Sequence, residues 1–389
     1  MDIGQAHRKE YDLEKDRLTP VVIAEAPGRI HFLGEVAPEN GLFLTAAIDR
    51  YIRLAVSQRK DNSFRFFAAD LGERKRSTLF NLKYRREDRW ANYLKPSILL
   101  FTELGCPLKG LNFSFCGDIP QNIGLASSTA IEIAAATALK SLLRFQIGEL
   151  DLAEKLKAAH FSIFGNSAPL VDYQAGLFAR KDNFMVIDSE EDDVKLIKSP
   201  FSRFRFLLVD SRVPRMGAES EIQARRSDIL KGLELLSKKR EGAGFKDFAS
   251  NDLVEVLGDF PEQIRRRSMY IVEEIRRVYD AKDALERSDL ASFAKIIYHS
   301  HESLRDLYEI SCPEVDWLVK RAQEIEGAAG SRMTGLGFGG CTYTIIRKEL
   351  VEEYKKRFED YERIFGFRPA FYEVKLATRA RVAPGKKGA

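Results

Sequence analysis

The chain has 389 residues, 62 of them basic and 58 acidic, for a formal net charge of +4, and 44% of it is hydrophobic. That apolar content supports two or three buried cores and excludes a disordered chain, while the near balance of charge leaves any steering of an anionic ligand to local clusters. The RRR run at 265–267 and the basic residues at 380–387 read as solvated surface and a tail rather than a nucleic-acid footprint.

Cys106, Cys116, Cys312 and Cys341 show neither metal-ligand spacing nor a disulfide framework, which fits a reducing compartment. The start, MDIGQAHRKEYDLEKDRLTP, lacks the apolar stretch of a signal peptide, and no apolar run is long enough to span a bilayer. The expectation is a soluble, cytoplasmic protein that binds neither nucleic acid nor membrane, as a monomer or weak homodimer.

VVIAEAPGRIHFL (21–33) reads as two short strands around an Ala-Pro-Gly turn, and YIRLAVSQR from 51 alternates as another strand. FRFFAAD and LKGLNFSFCGDIP predict further strands, with WANYLKPSILLFTELG as an amphipathic helix between them. In GDIPQNIGLASSTAIEIAAATAL (117–139) a glycine turn runs into an alanine-rich helix with the character of a buried one. Residues 150–164 predict a helix, 165–169 a loop, and NFMVIDSEEDDVKLIKS a strand with an acidic turn.

From FRFLLVDSRVP at 204 the pattern changes, and helices are predicted over 218–237, 245–257, 262–280, 284–297 and from 314. SRMTGLGFGGCTYTIIRK then supplies a glycine-rich turn leading into a strand, before a last helix, EYKKRFEDYERIFG, and a last strand, AFYEVKLA. The shift near 200 divides the chain into an N-terminal domain over 1–200 and a C-terminal domain over 201–389, within an α+β fold.

Three glycine-rich segments stand out: APGRIHFLGE (26–35), PQNIGLASST (120–129) and TGLGFGGC (334–341). In the second, Gly124 permits a tight approach, and Ser127, Ser128 and Thr129 occupy the first helical turn, where backbone N–H groups lack intrahelical partners and the dipole favours an anion. Serine and threonine are also ordinary N-cap residues, so a capped core helix remains an alternative. None of the three segments fits GxxxxGK[ST] or a strand–GxGxxG–helix pattern. Asp172, in GNSAPLVDYQ, follows a loop and is open to reading as a cap or a solvated turn.

Taken together and in order, these segments resemble the GHMP family of small-molecule kinases, and within it the galactokinase branch. APGRIHFLGE, PQNIGLASSTA and SRMTGLGFGGCT match its three motifs, and WANYLK (90–95), SEIQARR (220–226) and SHESLRDLYEISCPEVD (300–316) match stretches particular to that branch. The resemblance runs from about residue 21 to the C-terminus.

It implies a two-lobed molecule with ATP between the lobes, an N-terminal ribosomal-protein-like domain and a C-terminal ferredoxin-like domain with added helices. By that resemblance Gly124, Leu125, Ala126, Ser127 and Ser128 cradle the phosphates, with Trp90 also on the nucleotide side. The same resemblance makes Ser128 the preferred hydroxyl for Mg2+, with Ser127 next to it as the second choice, sets Asp172 beside the acceptor hydroxyl, and makes Arg29 the catalytic cation. Glu35 resembles a sugar-site acid, and Gly337, with Gly335, Gly339 and Gly340, lets the third loop pass close to nucleotide and acceptor.

Two departures qualify the resemblance. Where galactokinases continue with His-Thr-Asp-Tyr-Asn-Gly, this chain has Val36-Ala37-Pro38-Glu39-Asn40-Gly41, which removes two sugar-reading polar groups and leaves Glu39 as the new polar candidate. An aldose, uronic acid or polyol is therefore expected in preference to galactose. His160 falls where relatives usually carry a carboxylate for Mg2+, and a neutral imidazole suits that hard ion poorly. The expectation is ATP-dependent phosphorylation of a hydroxyl on a sugar-like acceptor. The alternatives are a non-catalytic nucleotide or sugar sensor and a kinase for a non-sugar acceptor.

Overall fold

The computed structural model describes residues 1–16, 18–34, 41–121, 123–191, 193–214, 218–240, 244–248, 258 and 260–383, Glu219 by its backbone only. Two long strands build the first sheet: β1 (Val21–Leu33) and β2 (Leu42–Gln58), antiparallel along most of their length. Instead of turning at Ala-Pro-Gly, the chain runs straight through it with a register shift between Pro27 and Gly28. A bulge absorbs the proline, which has no N–H to give to the ladder, and keeps the strand whole.

Around this pair lie β3 (Ser63–Ala68), β4 (Glu73–Thr78), β5 (Leu111–Gly117), β6 (Asn183–Asp188) and β7 (Asp193–Lys198). The segment read as one strand with an acidic turn is thus a hairpin, β6 pairing with β7. The predicted helix at WANYLK is a 3-10 segment over Arg86–Leu94 that passes into an α-helix, α2 (Lys95–Glu103), following α1 (Ile3–Glu10) in the chain. Pro96 explains the changeover, since proline fits the first turn of an α-helix. Helices α3 (Ser127–Leu142), α4 (Glu149–Phe164) and α5 (Leu170–Phe178) complete the unit, with α3 and α5 resting on β1 and β2.

The second sheet comprises β8 (Phe204–Asp210), β9 (Ala328–Thr334), β10 (Cys341–Arg347) and β11 (Ala370–Val374), in the order β11-β8-β10-β9 and antiparallel throughout. Its helices are α6 (Ala218–Lys239), α7 (Glu262–Glu286), α8 (Leu290–Asp306), α9 (Pro313–Gln323) and α10 (Val351–Phe365). Helices α7 and α8 outrun their predicted ends. The helix expected over 245–257 is described only as a 3-10 turn at Phe245–Asp247, and its remainder falls mainly outside the described residues. A short β12 (Arg381–Val382) returns to pair with β1.

The β8 run FRFLLVD is apolar on both faces because both are covered. Phe206 and Leu208 face the large core shared with the first sheet, while Leu207 and Val209 face a second core with Ile346, Tyr354 and Tyr361. At the junction Phe32 of β1 packs edge-on against Phe184, Phe206 and Tyr343, so the two sheets meet through one continuous core. Full burial of a ring such as Phe32 is worth about 1.5–3 kcal/mol, which makes this junction a substantial fixed contact.

Candidate active site

The turn before α3 lies against β1 because Gly28 has no side chain. A Cβ there would sit 3.1 Å from Leu125 O, the atom that accepts a hydrogen bond from Arg29 N at 3.2 Å. Gly124 has φ +85°, and its own Cβ would come within 2.7 Å of Gly335 Cα, so the second and third glycine loops touch where neither has a side chain. The residue that launches α3 is Ala126, in the left-handed region at φ 57°, a cost a non-glycine residue carries only where the surroundings enforce it. No side chain caps α3. Ser127, Ser128 and Thr129 therefore do not cap the helix as in the bland alternative; they form its first turn at the positive end of the dipole.

Asp172 sits in the first turn of α5, immersed beside β1. Arg29 grips it bidentately, Nε to Oδ1 at 2.7 Å and Nη2 to Oδ2 at 3.0 Å, and its remaining arm, Nη1, donates to Gly124 O at 2.5 Å. His31, two residues along the same strand and therefore on the same face, donates from Nε2 to Asp172 Oδ1 at 3.1 Å. Burial works to raise the Asp172 pKa, but the Arg29 charge and the His31 hydrogen bond outweigh it and hold the carboxyl well below the usual carboxylate range. Arg29 thus ties the carboxylate and the glycine loop into one unit. His31 did not stand out in the sequence, although its two-residue spacing from Arg29 was a usable signal.

Beneath this unit lies a second buried carboxylate. Glu132, one turn beyond Ser128 on α3, has Oε1 2.7 Å from His160 Nδ1 and accepts from the Tyr173 hydroxyl at Oε2, 2.6 Å. His160 also stacks on Phe164, with ring centroids 4.4 Å apart. Burial raises the Glu132 pKa against the contrary pull of His160 and Tyr173. His160 therefore serves as a packed partner that joins α4 to α3. The signal for Glu132 was a lone carboxylate inside an apolar helix, which must find partners when buried.

Comparison with known proteins decides the family. Residues 92–179 match the GHMP kinases N terminal domain and residues 281–362 the GHMP kinases C terminal. A Treponema pallidum (strain Nichols) protein provisionally named a galactokinase is 39% identical over 387 residues, covering 98% of this chain and 96% of its own length. The galactokinase of Roseiflexus sp. (strain RS-1) is 33% identical, covering 86% of each chain. The chain belongs to the GHMP kinase family. Its fold matches that of Lactococcus lactis galactokinase, solved with galactose, at TM-score 0.90 over 98% of this chain and all of that one, at 23% identity. Methanococcus jannaschii mevalonate kinase shares the fold more distantly, at TM-score 0.65 over 92% of this chain and 99% of that one, at 17% identity. The chain is accordingly an ATP-dependent sugar kinase of the galactokinase type, with the two-lobed α+β fold of its family.

For this GHMP kinase, the first turn of α3 fits a nucleotide: its amides have no side-chain cap, Ser127 and Ser128 are half-exposed, and Gly124 and Gly335 meet beside it without side chains. Metal ligands are sparser. Among the described residues no group of three or more His, Cys, Asp or Glu side chains could hold an ion, and the carboxylate of Glu132 is committed to His160 and Tyr173.

Gly337 (φ +89°) packs against Ile310, whose carbonyl accepts from Phe338 N, so Gly335 is the third-loop residue that meets Gly124. Trp90, half-buried, donates from its indole N–H to Glu73 at 2.7 Å and packs edge-on against Phe115. Glu35 and Glu39, with all of residues 35–40, lie outside the described residues. Among the described residues no helix is long and apolar enough to cross a membrane.

Proposed function

We propose that this kinase phosphorylates a hydroxyl of a sugar-like acceptor other than galactose, with Asp172 and Arg29 as its catalytic pair and Mg2+ as the companion of ATP. The observation that carries the reading is the Arg29 guanidinium bridging Asp172 and Gly124 O, which puts the carboxylate and the phosphate loop at a fixed separation. Bound ATP supplies the phosphoryl group. The amides of Gly124 to Ser128 would hold its phosphates, the Ser128 hydroxyl would reach Mg2+, and Arg29 would offset charge spreading onto the transferred group.

Asp172, held as an anion by Arg29 and His31, is a weak base. Its role is to accept the acceptor hydroxyl's hydrogen bond and aim the oxygen, receiving the proton only as the oxygen–phosphorus bond forms. Val36 and Pro38 offer no side-chain hydrogen bonds to a sugar, which is why galactose is expected to be a poor acceptor. We further propose that the lobes divide near residue 200 and that the protein acts in the cytoplasm as a monomer or weak homodimer.

The test is a panel of aldoses, uronic acids, amino sugars and polyols incubated with ATP and Mg2+, read by ADP release together with product mass. A phosphorylated product from an acceptor with higher kcat/KM than galactose is the expected outcome. Galactose as the best substrate would overturn the specificity argument, and nucleotide binding without any product would favour a sensor.

A further inference from the structure

The end of β1 is held from the second lobe at three successive points. Thr334 Oγ1 donates to His31 O at 3.5 Å, and Tyr343 Oη donates to Phe32 O at 2.8 Å. Gly34 N donates to Glu274 Oε1 at 3.0 Å across a sequence separation of 240 residues. The third contact is chemically unlike the others, because its acceptor is an ionised side chain buried on helix α7. Glu274 is 2% exposed, and its ion-pair partner Arg332, on β9, is 0% exposed.

Around Glu274 the bonds close into a ring. Arg332 Nη2 donates to Oε1 at 3.0 Å, and Ser300 Oγ donates to Oε1 and Oε2 at 2.9 and 2.7 Å. Arg332 Nε donates to Ser300 Oγ at 2.8 Å, and Arg277 Nη1 reaches Oε2 at 3.1 Å.

Gly34 is where this matters. It has φ +87°, and a Cβ there would strike Leu42 O at 2.3 Å, so the chain makes a turn that only glycine allows, three residues past His31 and five past Arg29. Arg332, on the other side of the ion pair, stands two residues before Thr334 and three before Gly335, which abuts the phosphate loop. One buried pair therefore links the strand that carries Arg29 and His31 to the strand that enters the third glycine loop. A charge pair this deep costs more to desolvate than a well-packed apolar substitute would, so stability alone is a poor reason to place it here.

We propose that Glu274, set by Arg332 and Ser300, is a positioning residue for the acceptor: it fixes Gly34 and with it the end of the catalytic strand. The proposal rests on the kinase reading above. Glu274 acts through Gly34 and touches no reacting atom.

The variant that isolates the contact is Glu274→Asp, which keeps the charge beside Arg332 but withdraws the carboxylate by one methylene from Gly34 N. In the full chain, with D-galactose and ATP as substrates, it should raise the galactose KM roughly tenfold, the scale of one lost hydrogen bond to a charged group, and change the ATP KM less than twofold. Arg277→Met, which removes the cation on Oε2 and leaves Oε1, the oxygen Gly34 uses, with Arg332, should leave both KM values unchanged.

Amide hydrogen exchange gives a readout that needs no turnover: in Glu274→Asp the peptide ending at Gly34 should exchange at least tenfold faster while that around Asp172 does not. Unaltered exchange at Gly34 overturns the proposal whatever the activity. A parallel rise in both KM values assigns Glu274 to general stability and overturns it too. If galactose is not turned over by the wild-type enzyme, the same KM comparison is made with the best acceptor of the panel; if no acceptor is turned over, the kinase reading is what fails, and the exchange result still decides the role of Glu274. Should Glu274→Asp not fold, Ser300→Ala, which leaves the Arg332–Glu274 pair standing, should move exchange and galactose KM in the same direction by a smaller factor. No movement there counts against the proposal equally.

Discussion

Two buried arginine–carboxylate pairs sit at the ends of the same strand contact, and they are built differently. In Glu274–Arg332 the carboxylate is saturated: Gly34 N, Ser300 Oγ, Arg332 and Arg277 together occupy both oxygens. In Asp172–Arg29 Oδ1 accepts from Arg29 and His31, while Oδ2, among the described residues, accepts from Arg29 Nη2 alone and so retains acceptor capacity. Both carboxyls are kept ionised against burial by their arginines. The difference is what each anion has left to give. A saturated carboxylate can only hold structure, and one with a spare lone pair can accept from a hydroxyl.

The hardest way to break this comparison is at Asp172. Asp172→Asn keeps the size but removes the charge, and kcat should fall by about 10²-fold or more, the scale of acid–base assistance. Arg29→Lys keeps a cation and loses the planar fork that spans Asp172 and Gly124 O, so it should impair turnover as well. Because both changes disrupt one unit, the double variant should lose less than the sum of the two activation penalties. Pre-steady-state phosphoryl transfer is the measurement, since slow product release hides chemical defects. Wild-type transfer in folded Asp172→Asn would remove the carboxylate from the mechanism.

A smaller effect is expected at the loop that the arginine ties to the carboxylate. Gly124→Val forces a branched residue into the left-handed region, at a cost of about 1–2 kcal/mol, and drives its Cβ toward Gly335 Cα. The Kd for ATP, measured by calorimetry, should rise about tenfold while the melting temperature of the free protein drops by only a few degrees. An unchanged Kd would mean that the phosphates lie elsewhere.

How much of this was legible in the sequence follows from the range of the interactions. Gly124 to Ser128, Arg29 and Asp172 stood out because each lies in a short contiguous stretch that resembles a family motif, and in the structure Arg29 bonds both Asp172 and the Gly124 carbonyl just before α3. His31 was one step away, sharing a strand face with Arg29. Reading 21–33 as two strands obscured the continuous ladder, because the Ala-Pro-Gly turn signal was overridden by pairing with β2 on both sides of it, from Val21 to Leu33.

Glu274 was out of reach. It lies in RRRSMYIVEEIRR beside another glutamate, and no periodicity separates the one that crosses 240 residues to Gly34 from its neighbour. The 3-10 form of Arg86–Leu94 was hidden for a related reason: its apolar spacing suits a helix, and the left-handed Arg89 within it is not encoded by spacing.

The smallest expected effect concerns another buried carboxylate, Glu132, which differs from Asp172 and Glu274 in facing a histidine and a tyrosine instead of an arginine. The sign of its pH dependence should be opposite to theirs. Asp172 and Glu274 have folded values below their ordinary ones, so the stability they contribute is present above the ordinary carboxylate pKa and is lost as pH falls toward the folded value. For Glu132 burial raises the folded value above 4.5, so its contribution is complete below pH 4.5 and is lost as pH rises through the folded pKa.

Glu132→Gln is neutral at every pH. Its oxygen can still accept from Tyr173, and its amide can donate to His160 Nδ1. The melting temperature of this variant relative to wild type should therefore climb between pH 4.5 and 8, by on the order of 1–3 °C. A difference that stays flat or declines over that range would show that the bonds from His160 and Tyr173 offset the burial of the carboxylate fully, and that Glu132 joins α3 to α4 beneath the glycine loop as an anion, as Glu274 joins its own neighbours.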